Sequence, residues 1–426
     1  MTDKNKIIAI AGAGFAGLRA ALTLVKKLPT NGYDIVLIDE HDTHIYTPDL
    51  YEIATAFNEK ITQECLTNLK DTVAIPYRKI LRNKPIRFVR NSITQIDPAG
   101  KKLMLKKGGA FVFDYLVVAL GSVVNYYGIE GLKEHSYALK TITDALAINC
   151  YLDHFFQTKW QKGSEKIISI VVGGGGATGV EFTGELPNSI DKLCKKYECP
   201  RSQVRITLVE GSQQLTGQGK KVTSIILEHF KKHGIICKLG TRIKKVGENV
   251  VHISRGDGAI NELPMDILIW AGGVIPNPLI RASFPHIVAK NDALLVNEYL
   301  QNEKFPFIYA AGDNAFFVDS LSSKTAPLLA QVAFDQGAVI GHNIAAELTG
   351  GTKKKYKLRI KGVIIPLGGK YAILKTGSNG KSSVLEGFFI WMLRRFVDLR
   401  YALSILPFRY AVKKWIHDMH IFVKND

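Results

Sequence analysis

Short apolar runs mark the chain in two matched pairs. Ile7-Ile8-Ala9-Ile10 and Ile35-Val36-Leu37-Ile38 bracket one Ala/Leu-rich stretch; the run from Ile167 to Val172 and Ile206-Thr207-Leu208-Val209 bracket another. Apolar runs of this length without polar alternation predict strands buried on both faces, and the longer stretches between them predict helices. The joins are alike as well. Each first strand leads into Gly-x-Gly-x-x-Gly, at Gly12, Gly14 and Gly17 and again at Gly174, Gly176 and Gly179, and each second strand ends on an acid, Asp39 or Glu210.

One such glycine triplet is weak evidence, because glycine turns are common. Two of them, each in a full strand, turn, helix, strand and acid context, predict an α/β chain with two Rossmann-type dinucleotide-binding domains. The first glycine permits the tight turn, the second lets backbone N–H groups reach a pyrophosphate, and the third lets the helix pack closely. The helix N-terminus adds partial positive charge for the phosphates. The acid accepts from a ribose diol. Asp39 follows Gly17 by 22 residues and Glu210 follows Gly179 by 31, the longer span holding a Lys-rich insertion around Cys194 to Pro200. A carboxylate repels a 2′-phosphate, and no Arg follows in Gly211-Ser212-Gln213-Gln214, so Glu210 points to NADH rather than NADPH.

Hydride delivered by one nucleotide needs an acceptor that passes electrons on, and flavin is such an acceptor. Phe307 to Asn314 reads as a strand running into Gly312-Asp313, which would place a carboxylate on the ribityl chain of FAD and start a helix. Taken alone, Gly-Asp after a strand is more often a plain turn.

The order of the two glycine motifs, Asp114 to Ser122, Trp270-Ala271-Gly272-Gly273 and Tyr309 to Asp313 resembles the two-dinucleotide-binding flavoproteins. Within them the chain most resembles the type II NADH:quinone oxidoreductases, on Tyr46 to Ala54, Asn125 to Gly131, Gly179 to Phe182, Ala330 to Gly337 and Gly362 to Gly369. This resemblance implies FAD in the first unit and NADH in a second unit inserted into it: residues 1–140 and 295–355 for FAD and 141–294 for NADH, while residues 356–426 are expected from their charge and patterning to be a membrane-associating region. It places FAD contacts at Gly12, Gly14, Phe15, Ala16, Gly17, Asp39, Glu40, Pro48, Ala119, Gly121, Gly312, Asp313 and Gln331. NADH contacts fall at Gly174, Gly176, Ala177, Thr178, Gly179, Glu181, Glu210, Gly272 and Gly273. Gln331, Phe334, Asp335 and Ile365 would face the quinone, with the Gln331 amide donating to its carbonyl. The plainer alternative for Gln331 is a solvated neighbour of a helix that packs closely through Ala330, Ala333 and Gly337. Glu181, read as opening the helix after the third glycine, is either a first-turn acid that favours the helix dipole or a proton relay for quinone reduction. Two places depart from the family: Ala271-Gly272-Gly273-Val274 stands where Thr-Ala-Gly-Val is usual, and Asp335 where Gln or His is common. No metal is expected.

Composition adds a location. The 426 residues are 46% hydrophobic, enough for two or three domains, and carry 56 Lys+Arg against 38 Asp+Glu, a net +18. From Gly351 onward there are 16 Lys/Arg against 4 Asp/Glu, so +12 of that excess lies in the last 76 residues. After Pro407, winding at 100° per residue gathers Phe408, Ala411, Val412, Trp415, Ile416, Met419, Phe422 and Val423 on one side. Arg409, Lys413, Lys414, His417, Asp418, His420 and Lys424 fall opposite, and Ile421 is misplaced. Upstream, apolar Phe388 to Leu393 is followed by Arg394, Arg395 and Arg400. Aromatic faces backed by cations suit helices lying on an anionic lipid surface; the alternative is packing on the chain itself or in a homodimer. No stretch approaches the ~20 apolar residues that cross a bilayer. The expected site is peripheral, on the cytoplasmic side of the cell inner membrane, and nucleic acid is disfavoured because no binding motif accompanies the charge.

Cysteine placement weighs on the rivals. The five cysteines, Cys65, Cys150, Cys194, Cys199 and Cys237, are an odd count without a secreted-type framework. A dithiol reductase needs a cysteine pair soon after the first acid, and residues 40–60 hold none. A sulfide:quinone oxidoreductase needs cysteines from separated places including the C-terminal part, and none follows Cys237. A soluble reductase of a small acidic redox protein, docking on the basic tail, is the remaining enzyme alternative.

Overall fold

A computed structural model describes residues 5–160, 166–256, 258–320, 322–377 and 382–425. The chain gathers into two compact units, one of residues 1–45, 75–123 and 274–360, the other of residues 46–74, 124–273 and 361–426.

In the first unit, Lys6–Ala11 lies at the centre of a five-stranded parallel sheet, flanked by Tyr33–Asp39 and then Ile86–Arg90 on one side and by Tyr115–Val118 and then Ile308–Ala310 on the other. Ile8, Ala9, Ile10 and Ala11 are fully buried, as a strand covered on both faces requires. The order reverses at the central strand, where open α/β sheets bind ligands. Helix Phe15–Lys27 leaves that strand and packs on helix Ala330–Thr349. Small residues set the approach: a Cβ on Gly337 would overlap the Ala16 carbonyl, and one on Gly341 would stand 2.7 Å from the Ala20 carbonyl oxygen.

The second unit repeats the plan. Ile168–Gly173 is central, with Val204–Glu210 and Ile235–Leu239 on one side and Ile267–Trp270 and Tyr137–Ala138 on the other, all parallel. Helix Ala177–Lys196 follows the central strand, and helix Ile142–Lys159 begins with a reciprocal capping box between Thr141 and Asp144. An antiparallel sheet of Thr241–Val246, Val250–Arg255 and Ile260–Pro264 is appended. The same unit holds a second antiparallel sheet, Val363–Pro366, Ala372–Thr376 and Ser383–Gly387, that runs into helices Phe388–Ile405 and Phe408–Asn425.

Both predicted strand pairs are present, and three expectations change. Gly312-Asp313 does not start a helix: Gly312–Asn314 is a single 3-10 turn followed by the short strand Ala315–Phe316. The Asn314 side chain is held at both ends by Gly121, accepting from its N–H (3.0 Å) and donating to its carbonyl (2.7 Å), so the chain continues extended. Glu181 does not open its helix, which begins at Ala177, and so stands in the second turn. Arg394 and Arg395 are not surface cations; both are buried. Among the described residues no helix is long and apolar enough to cross a membrane.

Candidate functional site

The first unit builds a nucleotide cradle from its glycine turn. Gly12 has φ +95°, and a Cβ there would overlap the Ala119 carbonyl, so only glycine fits. A Cβ on Gly17 would overlap the Gly12 carbonyl. Gly14, by contrast, caps the helix without a side-chain bond, with nothing within 4 Å of where its Cβ would point. The helix therefore offers uncapped N–H groups toward open space, the arrangement a pyrophosphate fills. Asp39 is set beside this turn: its carboxylate accepts from Ala13 N–H (2.7 Å) and His41 N–H (2.9 Å). Burial raises its proton affinity above the ordinary carboxylate range, and those two N–H groups oppose the rise. Glu40 is exposed and accepts from the Ser92 hydroxyl. The Phe15 ring meets His44 edge to face at 5.2 Å, and Ala16 is buried under the second helix.

Gly121 and Gly312 both have positive φ, +70° and +63°. The Ser122 hydroxyl donates to Asp313, fixing that carboxylate, and Gly312 N–H donates to Gln336 Oε1 (2.7 Å). Gln336, not singled out in the sequence, is thus the buried glutamine of helix Ala330–Thr349, while Gln331 is half-buried in its first turn. Phe334 lies under the Arg19 guanidinium, 4.6 Å from ring centre to Cζ, and Asp335 is half-buried.

The second unit repeats the cradle. Gly174 has φ +107° and lies against Ala271 and Gly272; Gly179 lies against the Gly174 carbonyl. Gly176 caps its helix without a side-chain bond, and Gly176, Ala177 and Thr178 are exposed. Glu210 accepts from Gly175 N–H (2.5 Å) and Ser212 N–H (2.6 Å), which aims its carboxylate at the glycine turn. Gly272 is pressed on the Trp270 ring, and the Tyr127 hydroxyl would be 2.7 Å from a Cβ on Gly273. These features fit a dinucleotide in each cradle: each has an open N–H turn, a bare glycine at the point of closest approach and an acid beside it.

Glu181 belongs to a buried cluster of charge that the sequence did not predict. Arg394 donates to Asp49 (2.6 Å), Asp398 (2.5 Å), the Tyr46 hydroxyl (3.1 Å) and the Pro48 carbonyl (3.4 Å). Arg395, only 1% exposed, pairs with Glu52, which also accepts from Tyr51 (3.0 Å). Glu181 is half-buried as a residue, but its carboxyl end is enclosed. Burial pushes it up to about 8; Arg394 opposes this, and Asp49 and Glu52 add to it. Burial therefore favours the protonated form of Glu181 over the anion. Pro48 thus sits on the arginine cluster, and Ile365 is fully buried within its sheet.

The pattern of the pyridine nucleotide-disulphide oxidoreductases matches residues 6–337. The chain belongs to this family. Among curated relatives, a type II NADH:quinone oxidoreductase of Staphylococcus aureus (strain NCTC 8325 / PS 47) is 29% identical over 374 residues, 86% of this chain and 89% of the relative. Among solved structures, NDH2 from Plasmodium falciparum in complex with NADH superposes with a TM-score of 0.85 at 19% identity, covering 99% of this chain and 98% of that one. The sulfide:quinone oxidoreductase of Aquifex aeolicus gives 0.77 at 18% identity, over 94% and 91%. The resemblance to the type II NADH:quinone oxidoreductases is borne out at the level of family, and the structural likenesses give the fold of this family member.

Proposed function

We propose that this chain is an FAD-dependent NADH:quinone oxidoreductase that pumps no protons and works at a membrane surface. The observation that carries the reading is the pair of matched cradles in one chain, with no cysteine between residues 40 and 60 to act as a redox dithiol. Residues 1–140 and 295–355 serve FAD, 141–294 serve NADH and 356–426 serve the membrane. FAD, when bound, supplies the two-electron chemistry that takes hydride from NADH and reduces the quinone.

The chain's own residues bind and orient. Uncapped N–H groups after Gly14 and Gly176 hold the two pyrophosphates, and Asp39 and Glu210 hold the riboses. Asp313, fixed by Ser122, serves the ribityl chain. Gln331 donates to a quinone carbonyl, and Glu181 supplies a proton for the reduced quinone. The exposed aromatic residues of the last two helices seat the protein on the cytoplasmic face of the inner membrane, where a lipid-soluble quinone is reached without a span.

The test is anaerobic. NADH should bleach the flavin absorbance of the holoenzyme, and a soluble quinone should restore it in the same cuvette. Protein that purifies colourless and stays so after refolding with FAD would overturn the reading.

A further inference from the structure

No arginine stands among the four residues after Glu210, yet the fold brings one from another strand. Thr241–Val246 runs past the loop that follows Glu210, and the Gly240 N–H donates to the Ser212 carbonyl (2.9 Å). Arg242 lies along the next residue of that loop: a Cβ on Gly211 would be 3.2 Å from its Cγ and 3.5 Å from its Nε. Because Gly211 has no side chain, the arginine stem rests on bare backbone. Arg242 is exposed, and among the described residues its guanidinium has no hydrogen-bond or ion-pair partner. Both Glu210 oxygens are meanwhile taken by Gly175 and Ser212 N–H groups.

The place of this cation in the site follows from the sheet. The acid ending the second strand of a dinucleotide cradle faces the adenosine ribose, and a 2′-phosphate, where present, projects from that ribose. A guanidinium beside the residue after the acid is suited to that phosphate, since Arg pairs with phosphate through a planar fork. The carboxylate one residue away disfavours the same group. We propose that Arg242 is a specificity-determining residue at the adenosine end of the pyridine-nucleotide site, a cation for a 2′-phosphate that only the Glu210 carboxylate keeps from use. Preference for NADH then rests on one charge. This inference rests on the second cradle being the NADH site.

Calorimetric titration of the FAD-loaded protein with NAD+ and with NADP+ tests it. In Glu210→Gln, with Glu210→Ala beside it in case the amide disturbs the Gly175 and Ser212 N–H groups, affinity for NADP+ relative to NAD+ should rise about tenfold to a hundredfold, the range of a charge-assisted bond. Adding Arg242→Gln should abolish most of that gain, adding Arg242→Lys should keep part, and 0.5 M salt should shrink it. Thermal melts confirm folding, which substitution of an exposed arginine spares. A gain that survives Arg242→Gln, or no gain in either Glu210 variant, overturns the inference while leaving the NADH site in place. Wild-type protein that binds neither nucleotide overturns the site and the inference together.

Discussion

The fold changes the chemistry of Glu181. Its proton is held to about 8 in the folded chain and released near 4.5 when unfolded, so between those values the folded state binds the extra proton. Stability from the neutral carboxyl is therefore fully present below pH 4.5 and declines as pH rises through 8. Glutamine has no such titration. Thermal melts of Glu181→Gln and wild type should run close together at pH 5 and separate in favour of the variant by pH 8.5, by about 2 °C or more; parallel melts across that range would show a normal carboxyl. In stopped-flow the same variant should slow flavin reoxidation by quinone while leaving reduction by NADH less affected. Gln331 makes a second residue-scale case, since its proposed bond is to quinone alone. Gln331→Ala should slow reoxidation more than reduction, and equal slowing of both would favour a packing role.

At the scale of elements, the two cradles were legible because their causes are local. Gly12 and Gly174 each need positive φ, and each motif lies within one strand, turn and helix. Asp39 and Glu210 were legible by spacing, although Arg242 beside Gly211 was not, because a neighbouring strand delivers it. The arginine cluster was hidden for the same reason on a larger scale: Arg394 and Asp49 are 345 positions apart. The motif Tyr46 to Ala54 contains its acids, but nothing in the sequence paired them with Arg394 and Arg395. This cluster ties helix Phe388–Ile405 to the 46–55 segment through charges that have left water, so removing one partner strands the other. Arg395→Met should cost about 3 kcal/mol in urea unfolding, and Glu52→Gln in the same chain should recover much of it. Equal losses for the single and double variants would mean that Arg395 matters through its packing on Trp391 and Phe422, not through charge.

For the whole molecule, the basic tail divides into charges used inside the protein and charges left exposed. Arg394 and Arg395 are spent on Asp49, Glu52 and Asp398, and Lys414 donates to the Thr72 (2.6 Å) and Asp71 (3.0 Å) carbonyls and to Asp418 (2.8 Å). Arg400, Arg409 and Lys413 remain exposed. The apolar sector of the last helix divides in the same way. Ala411 and Phe422 are buried and the Trp415 indole donates to the Arg395 carbonyl, whereas Phe408 is 71% and Ile416 58% exposed. On the preceding helix Phe389, 83% exposed, starts a stripe through Leu393, Phe396 and Leu403. An apolar surface of this kind together with exposed cations is what an interfacial helix presents, the cations adding about 1 kcal/mol each on an anionic leaflet. Truncating the chain at Gly387 would be a poor test, because it strips Asp49 and Glu52 of their arginines. Surface substitution avoids that: Phe389→Ser, Phe408→Ser and Ile416→Ser together remove exposed rings and alkyl groups while leaving the cluster intact. Wild-type protein should float with anionic liposomes, partly release in 0.5 M salt, and float poorly with neutral ones; the triple variant should stay at the bottom of the gradient yet turn over NADH with a soluble quinone. Flotation undiminished in the triple variant would move the membrane contact elsewhere, and a wild type that never floats would leave the exposed stripe to another protein surface.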